Sequence, residues 1–350
     1  MSAPTTTRGP VGAGPGSRGQ AALLSLRSGG TATVTALLVL IFAVIFALNP
    51  SFAEPSSLLA FVKKAAPLVI LAAGQYFVIA SGEFDLSVGS LVGAQVVIAA
   101  KLIDGEESRT YSVMLVMLVF GLCVGLVNGF VTTVLKVPSF ITTLGMMLVL
   151  FGAIRLWTGG APTGALSEGF RELGRGGVRD VPGVGLLPWA LPVMLVVGTG
   201  VVALMRSSFG RTLLAVGDNS VAAAFSGIRV ALVRTTAFVL SSLLATVAAV
   251  LIGGYAGVTS QVGQGLEFVA ITAVVLGGVV LGGGHGWVSA AMGGALVLEG
   301  LFTLFNQLGL PSTARPGLQG VIIIAAVAFA AHTAGSRRPR ARTPGPEPAG

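Results

Sequence analysis

Residues 111–135 read YSVMLVMLVFGLCVGLVNGFVTTVL, with no Asp, Glu, Lys, Arg or His among them. As a helix rising 1.5 Å per residue this stretch is about 37 Å long, enough to cross a hydrocarbon layer of about 30 Å. Apolar runs of the same kind recur on both sides, near residues 33–48, 64–81, 86–102, 139–157, 186–205, 231–254, 267–281, 286–308 and 317–334. The chain therefore reads as an all-α, polytopic membrane helical bundle of about ten transmembrane helices. Composition agrees: of 350 residues, 53% are hydrophobic and 10% charged, against roughly 25% charged in a soluble domain. A soluble globular enzyme is excluded. Gly fills 51 positions, and small residues let membrane helices approach closely where lipid gives no hydrophobic drive.

Residues 1–30 are rich in Gly, Ser and Pro, and 335–350 form a basic tail; both ends read as disordered and cytoplasmic, leaving 31–334 as one transmembrane domain. The first run follows a long polar leader with no A-x-A site after it, so a retained helix is expected rather than a signal peptide. A cytoplasmic N-terminus places Arg8, Arg18, Arg27, Lys136, Arg206, Arg211, Arg229, Arg234 and the tail arginines inside, as basic residues in short loops direct. An even number of spans returns the C-terminus to the same side. Glu54, Asp104, Glu106, Glu107, Glu168, Glu172, Asp180 and Glu267 then fall outside. The net charge of +8 is a set of topology signals, and no nucleic-acid partner is expected. The long outer connection, 158–185, has room for a short helix near Ser167–Leu173. Cys123, the one cysteine, lies within an apolar run and reads as a packed core thiol.

Catalytic signatures are missing. No Gly-Lys pair exists, so the chain has no phosphate-cradling loop of the Walker type. The patterns H-E-x-x-H, G-x-S-x-G and C-x-x-C are absent too. No cofactor and no metal site are expected. A charge at the membrane centre costs at least about 2.5 to 3.5 kcal/mol, which draws attention to Asp85, Lys136, Arg155 and Glu299. Asp85 sits in SGEFDLSVG (81–89), a polar turn ahead of a helix. It reads as a cap for the free N–H groups of that helix or as a residue of gating and passage. Glu299 is a protonated or hydrogen-bonded packing residue, a pore-facing group, or a sign that the segment boundary lies elsewhere. His285, in GGGHG (282–286), reads as a solvated turn residue.

The inner connection contains GRTLLAVGDNSVAAAFSGI (210–228). Asp218 or Asn219 can cap a short helix over Val221–Phe225, and Gly227 can end it. With Ala222, Ala223 and Ala224 on it, such a helix would suit a groove on a partner; the alternative is an ordinary connector.

This stretch is similar to the G-R-x-x-x-A-x-G-x-N-x-x-A-A-x-x-S-G-I segment of ribose/galactose/xylose-type permeases of ABC importers. Gly82–Gly89 resembles the family's G-G-x-D-L-S-V-G, and residues 137–145 (VPSFITTLG) its V-P-x-F-I-x-T-L-G. Glu267–Gly278 with Gly282–Gly286 resembles its late E-x-x-A-I-x-A-V-V-x-G-G and G-G-x-G. Order and spacing match over roughly residues 35 to 330. Glu83, Met146 and Glu299 depart from the pattern, which has Gly, Thr and a small residue there. The resemblance implies the transmembrane permease subunit of an ATP-binding cassette importer in a bacterial plasma (cell inner) membrane, in contact with membrane lipid. It implies a second permease copy (homodimer or related heterodimer), an ABC ATPase subunit that hydrolyses the ATP, and a periplasmic or lipid-anchored sugar-binding protein. Gly217, Asp218, Asn219, Ala222, Ala223, Ser226 and Gly227 would form the ATPase-coupling loop. The substrate would be a monosaccharide, with Gln75, Asp85, Ser87, Phe140, Thr143 and Glu299 as pathway candidates. The alternatives are a permease of the same class for branched-chain amino acids or nucleosides, an ion-coupled carrier using Asp85 or Glu299, and a membrane enzyme or structural protein.

Overall fold

In a computed structural model the described residues are 30–324 apart from 162, 260, 315, 318, 319 and 323. They form α1 (Gly30–Leu48), α2 (Pro55–Ala80), α3 (Val88–Ile103), α4 (Thr110–Thr133), α5 (Ser139–Thr158) and α6 (Glu168–Arg175). A hairpin of β1 (Gly177–Val181) and β2 (Gly185–Pro188) follows. Then come α7 (Ala190–Arg206), α8 (Ser208–Asp218), α9 (Ser220–Phe225), α10 (Val230–Ala256), α11 (Leu266–Leu276) and α12 (Val288–Gln307). Every apolar run before 317 contains a helix. The run at 317–334 lies mostly outside the described residues, as do the two terminal segments.

The crossings are not ten equal ones. Among the described residues six helices are long and apolar enough to span, or seven if α7 and α8 form one span bent by 70°. Helices α3 and α11, of 16 and 11 residues, reach only about 24 and 16 Å. The run at 186–205 begins as strand β2, and the run at 267–281 stops as helix at Leu276.

Helices α2 and α10 stand at the centre. From Ala65 to Ala80 every side chain of α2 is buried, and Phe77 of α2 and Phe238 of α10 lie in one apolar cluster. Against α10 lies α4, whose Gly121, Gly125 and Gly129 recur every fourth residue and so share one helix face. A Cβ at Gly125 would stand 2.7 Å from the Val239 Cα, and one at Gly129 2.7 Å from the Thr235 Cα. Without these glycines the two backbones could not meet. Met117, Val124 and Asn128 are buried with them, whereas Cys123 lies on the outward side of α4, so the thiol is exposed rather than packed in the core. Helix α1 closes the opposite flank, where Val34, Ile41 and Ile45 join Val297 of α12.

The long outer connection is ordered. Ser167 caps α6, its Oγ accepting from the Phe170 N–H at 3.2 Å, and lies 2.6 Å from the Thr110 Oγ1 at the start of α4. Phe170 is fully buried. The short helix expected near 167–173 is present. The antiparallel hairpin after it, with Val178 opposite Leu187, was not foreseen, because Gly177, Gly183 and Gly185 mask any strand alternation.

Replacing Gly125 with Leu should drive α4 off α10. The expected outcome is a destabilisation of about 1 to 3 kcal/mol or more, seen as a lower melting temperature in detergent. Gly152→Leu on α5, where nothing lies within 4 Å of the new Cβ, should leave it unchanged.

Candidate functional site

The turn Ser81–Ser87 joins α2 to α3 and carries Asp85, which is 1% exposed. Its Oδ1 accepts from the Ser87 N–H at 2.9 Å and the Ser87 Oγ at 2.6 Å. Its Oδ2 accepts from the Ser241 Oγ of α10 at 3.1 Å. The Ser87 Oγ in turn accepts from the Asn128 Nδ2 of α4 at 2.9 Å. The start of α5 secures the turn's backbone: the Phe84 N–H donates to the Ser139 Oγ at 3.1 Å and the Leu86 N–H to the Thr143 Oγ1 at 3.0 Å. Asp85 is thus less a cap of α3 than a knot, since it holds Ser87, the residue that precedes α3, beside Asn128 of α4 and Ser241 of α10.

Three of the sequence candidates, Asp85, Ser87 and Thr143, meet in this knot; the other three do not. Phe140 points outward at 55% exposure. Gln75 is buried in α2, and neither end of its amide has a hydrogen-bond partner among the described residues. Glu299 pairs across α12 and α2 with the Lys64 Nζ at 2.5 Å, which fits the packing reading. Sequence reasoning missed Asn128, Ser139 and Ser241, single polar residues in apolar helices whose only signal was their rarity. Glu267 is buried in the first turn of α11, and its carboxylate fills the space where a side chain at Gly89 would begin.

Below the knot, the Arg234 Nη1 pairs with the Glu83 Oε1 at 2.8 Å. Gly217, at the end of α8, rests on the Ala80 carbonyl and the Gly284 amide, which are themselves bonded at 3.0 Å. Helix α9 then projects from this junction. The Asn219 Oδ1 accepts from the Ala222 N–H at 2.9 Å. At the other end the Ile228 N–H returns to the Ala223 carbonyl at 3.1 Å while Gly227 takes φ 83°, a glycine-terminated helix end. The start, the helix and the stop stand where the sequence put them. Of the seven residues expected in that loop, Ala223 is buried against the bundle and Gly217 packs internally, while Asp218, Asn219, Ala222, Ser226 and Gly227 are exposed, and Val221, Ala224 and Phe225 join them on the outward surface. His285 is exposed in its turn, 3.9 Å from the Asp218 carboxylate.

The described residues thus form a glycine-packed bundle of apolar helices with a polar knot within it and a short helix projecting from one end. Residues 57–327 match the family described as branched-chain amino acid transport system / permease component, and the chain belongs to that family. It is 32% identical over 285 residues, 81% of each chain, to the autoinducer 2 import system permease protein LsrC of Enterobacter sp. (strain 638). It is also 32% identical to the ribose import permease protein RbsC of Escherichia coli (strain K12), over 84% of this chain and 91% of that one. No solved structure matches it. The chain is a membrane-embedded transport subunit, not an enzyme.

Removing the Asp85 carboxylate strands the Ser87 and Ser241 donors in the protein interior. Hydrogen bonds to a charged group contribute about 1.5 to 3 kcal/mol each, so Asp85→Ala should cost several times what Ser241→Ala costs in thermal unfolding, and should abolish transport. Glu299→Gln, which leaves a hydrogen-bonding group opposite Lys64, should keep transport largely intact. Equal melting temperatures for Asp85→Ala and Ser241→Ala would contradict the knot.

Proposed function

We propose that the chain is the permease subunit of an ATP-binding cassette importer, working as a pair and forming the pathway for a monosaccharide handed over by an extracytoplasmic binding protein. Both termini lie in the cytoplasm. The observation that carries the docking part is α9, which holds Phe225 at 89% and Val221 at 63% exposure at the arginine-bearing end of the bundle. Large apolar side chains held in water by a helix fixed at both ends are the anchors a groove on another protein uses. The partner in that groove is the ATPase, because this chain has no phosphate loop. Closure of an ATPase pair on ATP would draw the two α9 helices together. The Gly217 junction would pass that movement to the turns at 80–84 and 282–285.

The sugar reading is supported by the two relatives above, whose names specify ribose and autoinducer 2 import and which align over most of their length. Polar groups in the buried knot are hydroxyls, an amide and one hydrogen-bonded carboxylate, in keeping with a neutral solute. The family's own description favours a second reading, branched-chain amino acids, and competition for uptake separates the two.

Purification of the tagged chain from its native membrane should recover an ATPase whose activity rises with binding protein and sugar. Phe225→Ala should remove the ATPase while membrane insertion persists. Recovery of wild-type amounts of ATPase with Phe225→Ala would sink the docking assignment, and uptake that follows an ion gradient without any ATPase would sink the importer reading.

A further inference from the structure

Helix α10 ends at Ala256, yet the chain that follows turns back into the bundle. Gly263 lies so close to the first turns of α3 that a Cβ on it would be 2.2 Å from the Gly89 carbonyl and 2.7 Å from the Gly93 amide. Just beyond Gly93, Gln95 of α3 bonds to Thr246 of α10, ten residues before the end of that helix, or about 15 Å back along its axis. Residues 261–265 are therefore part of a re-entrant segment. Two short helices, α3 and α11, start where it arrives, with Glu267 of α11 against Gly89. Irregular backbone at this depth is tolerated only where protein buries it or where it lines a water-filled cavity. Here it does both, because Gly263 is buried while Gln261 and Gln264 are exposed.

Those two glutamines line a cavity of about 530 Å³ whose other walls are the start of α3, with Ser90, and the outer half of α5, with Phe151, Arg155 and Thr158. The size falls in the range of small-molecule sites, about 300 to 1,000 Å³. Arg155 is the only charged residue of the lining, and it forms no ion pair among the described residues. A guanidinium fork, two primary amides and the hydroxyls of Ser90, Thr158 and Thr259 offer many donors and several acceptors around one aromatic face. That set matches a polyhydroxylated ring, which presents hydroxyls at its rim and C–H groups on its faces.

We propose that this cavity is the outward-facing solute site of the permease. In it Gln261, Gln264 and Arg155 hold the hydroxyls of a monosaccharide-sized polyol, and the re-entrant segment forms the floor the solute must pass. The assignment rests on the importer reading above and adds to it the residues that touch the cargo. Glu267 and Gly89 position the floor without touching the solute. Passage then requires the re-entrant segment to leave α3. Gly257, Gly263 and Gly265, all at positive φ, supply the backbone freedom.

The test uses the native single cysteine. In a Cys123→Ser background, Gln264→Cys is introduced and the chain is reconstituted with its ATPase and binding protein in vesicles that face outward as in the cell. A membrane-impermeant thiol reagent is added outside, with and without ribose, xylose or galactose. Gln264→Cys should react from outside, and whichever of these sugars wild type takes up should slow the reaction. Leu195→Cys, on the outer surface of α7, should show no sugar effect. Gln261→Ala and Gln264→Ala should lower uptake about five- to thirtyfold, as expected for the loss of one or two hydrogen bonds. Wild-type uptake of a sugar with no protection at Gln264→Cys and no loss in the alanine variants overturns the site while leaving the importer reading standing. Failure of wild type to take up any of the three overturns the sugar reading, and this site with it.

Discussion

In hydrocarbon a backbone N–H or C=O without a partner costs several kcal/mol, so a chain that breaks its helices inside a membrane must supply the missing partners from elsewhere. Among the described residues two such breaks stand out, at 81–87 and around Gly263, and the placement of the helices beside them follows from how they are satisfied. At the first, the Ser139 and Thr143 hydroxyls accept the Phe84 and Leu86 amides, and Asp85 accepts the amide of Ser87. Ser139 and Thr143 come from α5, Ser241 on Asp85 from α10 and Asn128 on Ser87 from α4, so all three helices stand around the turn that they hold. At the second break the solution is steric: Gly89, Gly93 and Gly263 bring two backbones into contact with no side chain between them.

The same economy of side chains governs the inner end. Gly82, Gly217, Gly283 and Gly284 form a junction of bare backbone in which an added Cβ on Gly217, Gly283 or Gly284 would fall within 3 Å of a neighbour. Contacts of that kind are short and stiff, and interiors packed this closely transmit displacement rather than absorb it. Because α8 ends in the junction and α9 starts just beyond it, a force applied to Phe225 acts on the turn below Asp85 through only a few residues. The Glu83–Arg234 pair lies on the same route. Glu83 stands where the resembling family has Gly, so this strap between the turn and α10 is a feature of the present chain.

The bundle was legible in the sequence because burial in lipid leaves an unmistakable record, long runs without charge. The coupling segment was legible because helix capping is local: Asn219 and Gly227 act on neighbours a few residues away. Less could be read where meaning depends on partners distant in sequence. Asp85 stood out as a charge, but its bonding to Ser241 and, through Ser87, to Asn128 spans gaps that no periodicity reveals. Ala223 and Ala222 looked alike, and only the docking of α9 on the bundle turns one inward. The shortness of α3 and α11 was hidden because re-entrant chain is as apolar as spanning chain, and hydropathy does not distinguish depth from direction.

The state of the carboxylates bears on how such a bundle could be driven. An ion-coupled carrier needs an acid that can exchange a proton or a metal ion during each cycle, which means an acid whose present partners are weak or absent. Asp85 accepts three hydrogen bonds that hold helices together, and Glu299 faces a lysine ammonium. Exchange at Asp85 would dismantle the knot, and a cation arriving at Glu299 would have to displace one already there. Glu267 is buried in the first turn of α11, and the facing Gly89 leaves no room for a ligand between them. Asp85 and Glu299 are occupied by structure, which leaves neither of them free to exchange an ion in each cycle. The exposed, doubly capped α9 is the part of the described chain shaped to receive a push.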